Sequence, residues 1–211
     1  MTKIEWTDET WNPVTGCTKV SAGCKNCYAE RIWPKVSGAE AKRTGRPVRA
    51  FTDVRCHLER LEAPLHWKKP RRVFVNSMSD LFHPDVPDDF IDAVFQIMGG
   101  CDELGAGHSF QVLTKRPELM LQYMKSRARA AWNGSRMAPP AFPPRNVWLG
   151  VSVEDQLTAN ERIPLLLETP AAVRFISYEP ALGPINCYEF FEQYPDRNEV
   201  RIVQRHTGID W

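Results

Sequence analysis

The chain alternates short apolar runs with longer amphipathic stretches. Val73-Phe74-Val75-Asn76 and Val147–Val153 are compact and nearly continuously apolar, and Ser109–Thr114 and Ala172–Tyr178 read as further strands. Runs of that length and character predict strands buried on both faces. Thr10–Val14 reads as a shorter first strand. Between the runs lie helical patterns. Tyr28–Val36 predicts a helix that Pro34 ends or bends. A polar, basic stretch over 38–60 follows, with a helix near Asp53–Leu61. Pro84–Gly100 predicts a helix capped by Asp85 and stopped by Gly99-Gly100, with Phe90, Val94, Ile97 and Met98 inward. Pro117 opens a helix with Leu119, Met120, Tyr123 and Met124 at helical spacing, and the proline-rich 133–145 reads as a loop. Glu154-Asp155 opens a further helix, interrupted at Pro164.

Apolar strands alternating with helices imply an α/β fold, a parallel sheet covered by helices. The chain has neither a G-x-G-x-x-G fingerprint nor a G-x-x-x-x-G-K-[ST] phosphate loop, so a partial (β/α) barrel is expected rather than a Rossmann sheet. The whole of 1–211 reads as one domain. Ile209-Asp210-Trp211 looks like the start of another strand. The barrel is therefore expected to lack its last strand, as in a shortened chain, and to leave an open edge.

Composition narrows this only a little. Hydrophobic residues make up 43 %, enough for a core. A net charge of +1 gives no global footprint for nucleic acid. Locally, basic residues gather over 42–49 and again over 68–72 beside Trp67. The polar N-terminus does not read as a signal peptide, and no run of about 18 apolar residues predicts a membrane span. A cytoplasmic location is expected. There, clustered cysteines mean metal more often than disulfide.

The cluster lies at Cys17, Cys24 and Cys27, spaced C-x6-C-x2-C in a loop with Gly16 and Gly23. Cys101 and Cys187 read as apolar fillers. Thiolates suit iron–sulfur clusters or zinc. Three ligands, with no fourth nearby, leave a coordination position open, as a catalytic centre requires and a structural zinc site does not.

Three cysteines after a first strand in a βα chain resemble the radical S-adenosylmethionine (SAM) superfamily, although its usual spacing is C-x3-C-x2-C. The segments Glu5-Trp6-Thr7, Thr10–Cys17, Cys24–Glu30, Glu179-Pro180 and Ile209-Asp210-Trp211 resemble, more closely, an uncharacterised family common in phages and prophages. The superfamily resemblance implies a six-unit partial barrel. It implies a 4Fe–4S cluster on Cys17, Cys24 and Cys27, with SAM on the unique iron. It also implies cleavage of SAM to a 5′-deoxyadenosyl radical that takes hydrogen from a substrate. Tyr28, directly after the last cysteine, is similar to the arrangement in spore photoproduct lyases, a DNA-repair branch, which makes nucleic acid a candidate substrate.

In (β/α) barrels chemistry gathers where strands exit. The exits here are Ser77, Ser79 and Asp80, then Lys115 and Arg116, then Ser152 and Glu154, then Ser177, Tyr178 and Glu179. Asp80, Glu154 and Glu179 suit SAM's ammonium and ribose, Lys115 or Arg116 its carboxylate, and Ser77, Ser79 and Ser152 either role. Plainer readings stand beside these. Asp80 and Glu154 each precede a helix and could cap it. Lys115-Arg116-Pro117 and Glu179-Pro180 could be ordinary turns. His83, beside Asp80, reads as structural. The rival functions are a zinc- or cluster-stabilised nucleic-acid-binding accessory protein and a phage structural component.

Overall fold

A computed structural model describes residues 6–132, 142–187, 190 and 200–204. Its elements run β1 (Glu9–Trp11), β2 (Val14–Thr15), α1 (Tyr28–Thr44), β3 (Arg55–Cys56), β4 (Arg72–Val75), α2 (Asp88–Glu103), β5 (Ser109–Thr114), α3 (Pro117–Trp132), β6 (Val147–Val153), α4 (Gln156–Glu168), β7 (Val173–Tyr178) and β8 (Val200–Gln204). The main sheet has six strands in the order β1-β4-β5-β6-β7-β8, every neighbouring pair parallel. β2 and β3 form a small antiparallel ribbon.

Strand order here follows chain order, so each right-handed crossover returns on the same side. One face of the sheet is then covered by helices. Trp11, Val75, Val112 and Leu149 stand in register along that face and join the core with Phe90, Met98, Met120 and Ile163. The other face carries Phe74, Gln111 and Trp148 in register. This face is concave. The Trp6 ring lies 4.8 Å from that of Phe74 on β4 and 6.3 Å from that of Phe175 on β7. Those strands are three places apart, about 14 Å in a flat sheet, so one ring touches both only because the sheet curls. Gly150 leaves room for the Phe175 ring, because a Cβ there would lie 2.5 Å from it. Among the described residues the sheet does not close, and β1 and β8 are its edges.

Several boundaries differ from the sequence reading. α1 passes through Pro34 and ends at Thr44, with Gly45 in the left-handed region (φ 69°). The proline forfeits one bond to the Glu30 carbonyl. Trp33 and Ser37, buried on the same face, hold the turns on either side. The helix expected near Asp53–Leu61 is only a single 3-10 turn, Leu58–Arg60. α2 starts at Asp88 after Pro87, not at an Asp85 cap, and runs through Gly99 and Gly100 because Met98 and Cys101 are both fully buried. α4 continues past Pro164 to Glu168. The sixth strand is Val200–Gln204, so the sheet has the strand it was expected to lack. The residues 209–211 read as a strand start, and 133–141 of the expected loop, lie outside the described residues. No helix among the described residues is long and apolar enough to cross a membrane.

Candidate cysteine-loop site

All six strands point the same way, so their exits share one edge of the sheet, and the cysteine loop lies across it. Gly16 starts the loop. Its N–H donates to the Met78 carbonyl at 3.0 Å, and it forms a parallel bridge with Ser79 at the β4 exit. With φ 91°, and a Cβ position 2.5 Å from the Asp53 carbonyl oxygen, only glycine fits there. The Cys17 N–H donates to the Phe51 carbonyl at 2.9 Å. Cys17, Cys24 and Cys27 are free thiols, all half-buried. Cys27 directly precedes α1 and packs against Ala29, Trp33 and Met78.

Two ionised side chains from the strand exits hold this loop. Arg116, after β5, donates to Cys17 Sγ at 3.6 Å and to the Thr18 carbonyl at 2.9 Å. Asp80, after β4, fixes Arg116 at 3.0 Å in an almost fully buried ion pair. Asp80 also accepts from the Thr114 hydroxyl and from the Lys115 and Phe82 N–H groups. Glu154, after β6, accepts from the Ser21 hydroxyl at 2.7 Å and the Gly23 N–H at 3.0 Å. Lys115 donates to it at 2.6 Å and Arg162 at 3.3 Å. Burial pushes the Glu154 carboxyl up, but Lys115, Ser21 and Gly23 outweigh it and hold the group at about 2. Burial, then the Asp80 charge, push the Cys17 thiol up to about 11, against the pull of Arg116.

The other sequence candidates divide. Ser152 accepts from Lys115 at 2.7 Å and donates to the Glu179 carbonyl at 2.7 Å, extending the Glu154 network. Ser77 donates to Asn12 and Ser79 to the Val14 carbonyl, so both brace the chain leading into the loop. The simple capping reading fails for both acids. Asp155 caps α4 through a capping box with Thr158, and Asp80 serves Arg116. The 68–72 patch lies at the opposite end of the strands, with Arg71 on Glu9 and Arg72 on Asp8.

Thr18, Ser21 and Arg162 hold the site without having been singled out for it, and His83, read as structural, joins them. His83 is buried, and its Nδ1 accepts from the Asp85 N–H. Its Nε2 therefore carries the proton and donates to Thr18 Oγ1 at 2.8 Å. Burial and the Arg116 charge keep the ring below the usual histidine range. Ser21 could have been suspected as a polar residue inside the loop. Nothing in the sequence pairs His83 or Arg162 with it.

Among the described residues, no group of three or more His, Cys, Asp or Glu side chains could hold a metal ion. In the four-iron cluster that the resemblance implies, three cysteines bind three different irons, so they need not converge on one point. Free thiols and partial exposure fit that donor set, and Cys17, whose thiol pKa is held up by burial despite Arg116, would have to give up its proton to join it. A family model described as protein of unknown function (DUF5131) matches residues 1–211. The chain belongs to that family. No curated protein and no solved structure matches. The cysteine loop and its clasp thus describe one member of a family whose description names no activity.

Proposed function

We propose that this chain is a radical SAM-type enzyme that carries a 4Fe–4S cluster on Cys17, Cys24 and Cys27. One observation carries the reading. Three free thiols sit on a loop drawn across the exit edge of a curled, sequentially wound parallel sheet by Arg116 and by a fully buried Glu154. A purely structural loop does not need two buried ions from separate strands to position it. When bound, the cluster and SAM supply a one-electron cleavage that yields a hydrogen-abstracting radical. The chain's own residues do the rest. Arg116 orients Cys17 and places positive charge beside its sulfur. Glu154 and Ser21 fix the middle of the loop. Lys115, with Ser152 and the Glu179 carbonyl, forms the polar wall that a zwitterionic ligand would meet.

The test is anaerobic iron–sulfide reconstitution followed by SAM and dithionite. Release of 5′-deoxyadenosine by a brown protein is the expected result. A colourless protein that holds zinc tightly and leaves SAM intact overturns it. Cys24→Ala should abolish the cluster absorbance, and Cys101→Ala, in the helix-side core, should keep it.

A further inference from the structure

The chain's charge is unevenly placed. Residues 19–60 hold ten cationic and four anionic side chains, a surplus of six in a chain whose net charge is +1. The acids in this stretch are already engaged: Glu30 with Lys19, Glu40 with Arg49 and Arg60, Asp53 with Arg49, and Glu59 with His57. On α1, Tyr28, Arg31, Lys35, Ala39 and Lys42 follow one another at three- and four-residue steps, so they line one face. All five are exposed, and Arg46 continues the line just beyond Gly45. None of these cations has an ion-pair partner among the described residues. The opposite face, Ala29, Trp33 and Ser37, is buried.

We propose that this face of α1 is a binding track for single-stranded nucleic acid, with an unpaired base stacked on Tyr28 beside Cys27. Tyr28 is 57 % exposed, a large aromatic ring left in water at the end of the track next to the thiol loop. An exposed ring at the end of a cationic line is how sequence-tolerant single-strand binders take a base and its phosphates. From Tyr28 to Lys42 the helix rises about 21 Å, long enough for several phosphates. A lipid surface fits less well, because an interfacial helix must offer its apolar side and that side is buried in the protein here. That the track delivers its strand to the thiol loop rests on the catalytic reading above. The binding itself does not.

The test is fluorescence anisotropy on iron-free full-length protein over a salt series. The probes are a labelled single-stranded DNA, the same sequence as RNA, and the blunt DNA duplex. Wild type should prefer a single strand to the duplex, and the DNA and RNA arms show which sugar it takes. Arg31→Gln/Lys35→Gln/Lys42→Gln should weaken binding and reduce the log–log salt slope by about 2. Tyr28→Ala should weaken the single strand roughly tenfold, with the slope unchanged. Lys68→Gln/Lys69→Gln, at the far end of the strands, should bind as wild type. The proposal fails if the triple variant binds as wild type, or if Tyr28→Ala leaves the single-strand preference intact. It also fails if poly-glutamate or phosphatidylserine–phosphatidylcholine vesicles compete as well as the oligonucleotide. SAM cleavage is scored separately. A protein that binds the strand and never loads iron sinks the catalytic reading alone, and one that cleaves SAM without binding any strand sinks the track alone.

Discussion

Glu154 has no exposed side-chain surface, yet it stays ionised because Lys115, Arg162, Ser21 and Gly23 all reach it. Its carboxyl lies below the ordinary 4.5, at about 2. Its stabilising effect is therefore complete above pH 4.5 and fades as the pH falls toward 2. Glu154→Gln should lower stability by about 3 kcal/mol at neutral pH, since it leaves buried cations unpaired. It should also flatten this part of the acid limb, read as urea midpoints from neutral to acid pH. Gly23→Ala tests the same contact from the other side. Its Cβ would fall 2.3 Å from Glu154 Cδ, so the loop must lift away. We expect a folded protein with reduced iron content after reconstitution, by comparison of iron per chain with wild type.

Among the elements, α1 does two jobs: one face is buried and the other is left cationic. Pro34 is exposed and breaks one backbone bond in its middle. Pro34→Ala should restore that bond and stabilise by about 2 kcal/mol, seen as a melting temperature higher by roughly 5 °C. A lower melting temperature would mean that the proline shapes the loop docking. Element positions were legible where burial writes a near-continuous apolar run, as in Val147–Val153, whose bounds agree to the residue. They were misread at Pro34, Pro164 and Gly99-Gly100, where local breakers were given more weight than the buried side chains around them. Loop-holding contacts were only half legible. Polar strand exits can be read from sequence, but partners 133 residues apart, such as Ser21 and Glu154, cannot. The exit residues were therefore expected to face a ligand, whereas Arg116 and Glu154 bond to the loop and Asp80 bonds to Arg116.

For the whole molecule, the parallel sheet followed from the alternation of runs, whereas its curl was expected, as a partial barrel, only from missing nucleotide motifs and a resemblance. Trp6 meets Phe74 and Phe175 only because the sheet bends, and no residue pattern announces that meeting. Trp6→Ala should cost about 3 kcal/mol, measured by chemical denaturation. A loss near zero would show that the curl is held elsewhere. Chain order also sets a schedule. Each strand can join its predecessor as the ribosome releases it, but the loop's seat on Glu154 lies 131 to 133 residues downstream of Gly23 and Ser21. Until then only the turn that carries Ser21, Gly23 and Cys24 lacks its seat, because Cys17 has its partners at Phe51 and Arg116 and Cys27 packs on Trp33 and Met78. The same separation means that a nascent fragment stopping short of residue 154 emerges with the Ser21–Gly23 turn unseated.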